Sequence, residues 1–256
     1  MLKTRVIPTL LWKDFGLVKG VAFDSWRRVG SVLPAIKVYN QREVDELILV
    51  DIVGHLNEQD PDYESIQDFS RECHVPLTVG GGIKNVEQVQ KLLRSGADKI
   101  SLNTCLYSEP EILERVVSRH GSQCVVGSID VGNVEGKWIC FSNAGKVNTG
   151  RELVQWAMEL ESRGAGELLV TSIDRDGTME GYDKAMVKAV VEAVNIPVIA
   201  SGGAGAYMHM VDVVKEAGAA AVAAASIFHF TELTPAGVKD AFKDANIPVR
   251  MPFRIS

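Results

Sequence analysis

Cysteine is scarce and unpatterned. The four residues, Cys73, Cys105, Cys124 and Cys140, show no CxxC spacing. That excludes a disulfide framework and fits free thiols in a reducing, cytoplasmic compartment. His55, His74, His120 and His209 have no metal-binding spacing either, and His229 in SIFHF reads as a core or turn histidine. No metal and no cofactor are expected. No apolar run approaches the roughly 20 residues that a membrane helix needs. The opening MLKTRVIP has a strand pattern in place of the apolar segment of a signal peptide. An excess of positive charge is also missing. The net charge of −6 argues against nucleic acid or an anionic membrane as partner. There is no linker or low-complexity stretch, so residues 1–256 are expected to form a single domain.

What is present is an alternation. Short β-rich runs occur at 5–11, 46–52, 75–81, 98–103, 124–130, 167–173, 196–201 and 219–226. Most are continuously apolar, as expected for parallel strands covered on both faces. Helical patterns fall between them, at 32–41, 61–72, 85–95, 109–119, 149–163, 183–194, 207–216 and 235–245. In 149–163, Leu153, Trp156, Ala157 and Leu160 form one apolar stripe, and Thr149 with Glu152 has capping-box spacing. Eight strands alternating with eight helices predict an α/β fold, a (β/α)8 barrel; an open doubly wound sheet is the alternative. The halves resemble each other. VGGGIKNVEQVQKLLRSGADKISLN from Val79 and ASGGAGAYMHMVDVVKEAGAAAVAAAS from Ala200 both run strand, glycine turn, helix, strand. Two similar half-barrels are expected.

Two sets of residues suggest chemistry. Gly80-Gly81-Gly82 and Gly202-Gly203 each lie between a strand and a helix, where backbone N–H groups can meet a phosphate. Such glycines also make tight turns with no ligand, but two copies half a barrel apart predict an elongated ligand with a phosphate at each end. Arg5, Glu46, Lys99 and Glu167 begin strands. Their inward-sharing neighbours at i+2 and i+4 are mostly apolar or small. A charge at a strand start commonly just meets solvent. Two acids and two bases together predict a neutralised ring at the barrel bottom, away from the usual top-face site.

IPTLLWKD, VKGVAF, PLTVGGGI, SGADKISLN, GSQCVVGSID, LLVTSIDRDGT, IASGGAG and AASIFHF together resemble the cyclase subunit (HisF) family of imidazole glycerol phosphate synthase, from about residue 3 to Arg250. The resemblance implies a (β/α)8 barrel docked to a HisH-type glutaminase. Ammonia would cross the barrel to a bis-phosphorylated formimino intermediate, closing an imidazole ring. It implies that Arg5, Glu46, Lys99 and Glu167 form an ammonia gate. Gly82, Asn103 and Thr104 would hold one phosphate, and Asp176, Gly177, Gly203, Ala225 and Ser226 the other. Lys19 in the first loop, Asp51 and Thr171 would line the pocket. Asp98 and Gln123 would face the glutaminase.

The chain departs from the family at the chemistry. The family's general acid/base pair matches Asp130 and Leu11, and leucine moves no protons. The neighbouring Asp14 is expected on a loop, off the inward face. Thr9 replaces a family cysteine, and KDFGLVKG and FDSWRRVGSV also depart from the family's first loop. The leading expectation is therefore a divergent paralogue. It would carry ammonia to an amidotransferase making an acetamidino sugar for surface polysaccharide, with a third subunit holding the acceptor. The alternative is an authentic cyclase of histidine biosynthesis. A phosphorylated-sugar scaffold without ammonia transfer is a third reading.

Overall fold

The structure is a computed structural model that describes residues 3–14, 16–54 and 60–251. Eight parallel strands form a closed barrel: β1 (Arg5–Lys13), β2 (Leu47–Asp51), β3 (Leu77–Gly80), β4 (Lys99–Leu102), β5 (Val125–Val134), β6 (Glu167–Ser172), β7 (Val198–Ser201) and β8 (Ala221–Ala224). Each pairs with the next, and β8 returns to β1 through Arg5↔Ala221 to Pro8↔Ala224. This is the closed barrel, and it excludes the open sheet.

One main helix follows each strand: α1 (Val32–Gln41), α2 (Tyr63–Glu72), α3 (Val86–Arg94), α4 (Glu111–His120), α5 (Leu153–Ser162), α6 (Lys184–Val191), α7 (Tyr207–Ala217) and α8 (Pro235–Asp244). Their apolar stripes and the outward faces of the strands make the larger core. Asp62, Asn85, Asp183 and Thr234 cap α2, α3, α6 and α8 by accepting backbone N–H bonds. Among the described residues, no helix is long and apolar enough to cross a membrane.

The structure corrects the expected α5 start. Residues 149–152 are strand, not helix, and Glu152 makes no side-chain cap. Thr149 Oγ1 instead donates to the Cys140 carbonyl at 2.7 Å. The reason is a β-meander: β5 continues past Asp130 into antiparallel Lys137–Ser142, which pairs with Val147–Glu152. Glu135 and Gly136, both at positive φ, make its two-residue turn.

The first loop is also a hairpin. Gly16–Val21 pairs with β1 through Leu11↔Val18 and with Asp24–Gly30. Lys19 therefore lies on a strand, not on a loop. Asp14 is in the turn between β1 and this hairpin. Two short helices, Thr104–Ser108 and Ser226–Phe230, follow β4 and β8 at corresponding places in the two halves.

Candidate functional site

The strand register sets the barrel interior. In a (β/α)8 barrel, alternate strands contribute the four side chains of each interior layer, rising about one residue per strand. Starting from Thr9 and following the pairings, the layers can be read from floor to mouth. Glu46, Lys99, Glu167 and Ala221 share one layer. Ile7, Thr78, Val126 and Ile199 cover it. Ile48, Ser101, Leu169 and Ala223 come next, then Thr9, Gly80, Ser128 and Ser201. At the mouth, Leu11 and Asp130 stand at one height on opposite strands.

The four expected charges meet as a closed ring. Arg5 Nη1 bonds Glu46 Oε1 at 2.8 Å and Glu167 Oε1 at 2.9 Å. Lys99 Nζ bonds Glu46 Oε2 at 3.0 Å and Glu167 Oε1 at 2.8 Å. Ala221 explains how Arg5 fits. It occupies the fourth place in the acidic layer and pairs with Arg5, so its small side chain leaves the guanidinium room. Burial alone would depress the Arg5 pKa, but Glu167 and Glu46 outweigh it and hold it above its usual value. Burial would likewise raise Glu167, but Arg5 and Lys99 hold it below the usual carboxylate range.

A second cluster fixes the strand starts. Asp45 accepts from the Val6 N–H at 2.9 Å, from Lys239 Nζ at 2.8 Å and from Arg250 Nε at 3.0 Å. Lys239, wholly buried on α8, also donates to the Glu43 carbonyl at 2.7 Å. Val6 adjoins Arg5 and Asp45 adjoins Glu46, so this cluster sets the backbone beneath the ring. Asp98 and Gln123 are exposed on the same end. Asp98 accepts from the Leu77 N–H and Gln123 donates to the His120 carbonyl.

The mouth opens into a cavity of about 320 Å³. Asp130, Leu11, Lys19, Asp51, Thr171, Gly82, Asn103, Thr104, Asp176, Gly177, Gly203, Ala225 and Ser226 all line it. The structure thus gathers every expected pocket residue. The cavity descends past Thr9, Ser128 and Ser201 to Ser101, Leu169 and Ala223. The Ile7 layer separates it from the ionic ring.

Two glycine turns leave β3 and β7, a half-turn apart. Gly82 and Gly203 have φ of +66° and +105°, and a Cβ on either would strike the Gly54 or Gly181 backbone. The packing therefore requires glycine there whether or not a ligand binds, as the tight-turn reading held. Three lining residues add a different signal, since each carries a buried oxygen with no hydrogen-bond partner: Asn103 Oδ1, Ser226 Oγ and Thr9 Oγ1. Two of them, Asn103 Oδ1 and Ser226 Oγ, lie beside the two glycine turns. Thr104 Oγ1 accepts from the Asn143 N–H at 3.0 Å, leaving its own proton to donate.

Asp176 is not aimed at an anion. Its carboxylate bonds Lys19 Nζ at 2.9 Å through both oxygens, and Lys19 is 3% exposed. Its carbonyl accepts from the Ala22 N–H at 2.9 Å. The hairpin is thereby tied over the mouth, and its Phe23 and Trp26 line the cavity. Sequence reasoning missed both aromatics because it read this segment as loop. Asp51 Oδ1 accepts from the Val53 and Gly54 N–H groups at 2.9 Å, which fixes that carboxylate to its own loop.

Asp130 is the carboxylate suited to proton transfer. Burial raises its pKa to about 7, and the charge of Asp176 adds to this, while the Asn103 amide, 2.9 Å away, opposes it. A group near neutrality both donates and accepts at working pH. Leu11, facing it, offers only apolar surface. Among the described residues, no group of three or more His, Cys, Asp or Glu side chains is placed to hold a metal.

Fold and site define a class: a (β/α)8 barrel with Asp130, two glycine turns and two further carboxylates, Asp51 and Asp176, at its C-terminal mouth, and an ionic ring at its floor. A sequence model of the family described as "Histidine biosynthesis protein" matches residues 5–234. Three curated relatives are each named "Imidazole glycerol phosphate synthase subunit HisF". That of Chlorobium luteolum is 43% identical over 251 residues, 98% of this chain and all of its own. Those of Chlorobaculum tepidum and Microcystis aeruginosa are 43% and 42% identical, at the same coverages. This chain belongs to the HisF family.

Proposed function

We propose that the chain is an imidazole glycerol phosphate synthase cyclase subunit that works with one proton-carrying acid, Asp130. Ammonia released by a HisH-type glutaminase docked beneath the ring, at the face bearing Asp98 and Gln123, enters the barrel axis between Arg5, Glu46, Lys99 and Glu167. It reaches a bis-phosphorylated acceptor stretched between the Gly82–Asn103–Thr104 turn and the Gly177–Gly203–Ala225–Ser226 turn. Lys19, held by Asp176, sets the positive potential at the second end, and Asp51 and Thr171 orient the middle of the acceptor. Asp130 takes and returns the protons that ring closure moves.

The observation that carries this reading is Asp130 itself: a half-buried carboxylate with its pKa raised to about 7, standing at the mouth of the cavity between two glycine turns. The relatives' names favour it over the surface-polysaccharide reading. Without a facing acid, turnover should fall at least about 100-fold below that of a two-acid cyclase, since one acid/base group contributes about 10²–10⁴-fold. Cyclisation measured with excess free ammonia tests this without any glutaminase. Slow turnover supports the proposal. Turnover equal to that of a two-acid cyclase shows that another group replaces the missing acid.

Leu11 favours a second reading, in which the barrel passes ammonia to a sugar acceptor held by a third subunit and closes no ring itself. Complete absence of cyclisation, together with a stable complex with a HisH-type glutaminase, would select it.

A further inference from the structure

Among the four tryptophans, Trp26 is the one that lines the cavity. Two of the others have covered rings. Trp12 meets Phe69 edge to face with centroids 5.4 Å apart. Trp156 stacks on Tyr107 at 4.8 Å, and the Arg151 guanidinium lies 4.3 Å from its ring. Among the described residues, no aromatic ring and no cation is placed on Trp26, which is half-buried on the Asp24–Gly30 strand of the first hairpin.

Neighbours fix where this indole stands. Arg27, next along the strand, lays its guanidinium 3.9 Å from the centre of the Phe230 ring. Arg27 also pairs with Lys19, whose ammonium Asp176 holds. A Cβ on Gly20 would stand 3.0 Å from Trp26 Cε3, so the indole rests against bare backbone there. Leu11 pairs with Val18 and Val18 with Arg28, and residues two apart on a strand share a face. Trp26 and Leu11 therefore lie on one face of the hairpin sheet, and both line the cavity. Together they give the mouth an apolar wall beside Asp130 and the two glycine turns.

That wall selects by shape and polarity. A sugar that turned its hydroxyls to it would lose water without gaining hydrogen bonds. A flat unsaturated ring hides only its π surface, and an indole is a good stacking partner for such a ring. We infer that Trp26 is a specificity-determining residue: its indole stacks on a planar heterocycle carried by the phosphorylated acceptor. Leu11 then serves the same contact, as part of the apolar surface beside the ring. This inference rests on the reading of the mouth as the site of a phosphorylated acceptor.

Two probes isolate the ring. Adenosine 5′-monophosphate and ribose 5-phosphate share a phosphate and a sugar and differ by a flat base. Their binding is measured by titration calorimetry. The parent should bind the nucleotide at least about fivefold more tightly than the sugar phosphate, the scale of one base stacked on one aromatic side chain. Trp26→Leu keeps an aliphatic side chain against Gly20 and should bring the two affinities within about twofold by weakening the nucleotide alone. Trp26→Phe should keep most of the preference. A residue that only holds the hairpin in place would weaken both probes equally. That outcome overturns the inference, as does a preference that survives Trp26→Leu, or a parent that binds the probes alike or fails to bind the nucleotide. Cyclisation with free ammonia is measured separately. A ring preference without turnover keeps the role of Trp26 and removes the cyclase reading. Turnover without a ring preference does the reverse.

Discussion

Position 130 shows how environment makes a carboxylate useful. Burial raises Asp130 from 3.8 to about 7. The folded state therefore favours the protonated acid, and that preference is fully present below pH 4. It is lost as pH rises through 7. Asp130→Asn removes a charge that the fold holds at a cost. Urea denaturation at pH 8 should find this variant at least as stable as the parent, with the difference shrinking toward pH 4. Its cyclisation should fall by about 10²–10⁴-fold. The sequence showed Asp130 and the empty place opposite it, because period-two alternation on β1 and β5 puts both on inward faces. It did not show that Thr9, Ser128 and Ser201 share a height. Strand stagger decides that, and stagger appears only in the register.

Among the elements, the eight strands and eight main helices were legible, because a covered parallel strand is a continuous apolar run and its helix carries a stripe of apolar residues. The two hairpins were not. DFGLVKG was read as loop although Leu17 and Val18 are buried, because what buries them is antiparallel pairing back onto β1, with Leu17 joining the main core, a tertiary contact that the sequence does not reveal. The Glu135-Gly136 turn was a readable hairpin signal beside a more prominent helix pattern. The lid depends on Lys19 and Asp176. Removing one member of a buried pair leaves the other charge without a partner, at a cost of about 3–5 kcal/mol. Lys19→Met should therefore lower the urea midpoint. It should also speed amide exchange in Gly16–Gly30 more than elsewhere; uniform exchange across the barrel would show that the pair is not what holds the hairpin. Lys239→Met should similarly loosen the start of β2, where Asp45 loses a buried cation. Faster exchange at Val6 and Leu47 is the readout.

At the scale of the whole molecule, one axis joins two ends with different chemistry. The floor is a charge-balanced ring, the middle an apolar layer beneath hydroxyls, and the mouth a cavity in which Asp130 faces Leu11. If the ring meters what enters from a docked glutaminase, Lys99→Ala should change glutamine-dependent turnover several-fold while leaving turnover with free ammonia, which enters at the mouth, within twofold. Equal effects on both would place Lys99 in stability alone.

The account stands most directly on a paired assay of cyclisation with excess free ammonia in the parent, Asp130→Asn and Leu11→Asp proteins. It predicts slow turnover in the parent, turnover at background in Asp130→Asn, and a gain of about 10²-fold or more in Leu11→Asp, where a second carboxylate faces the first. Turnover in the parent that survives Asp130→Asn unchanged would contradict it.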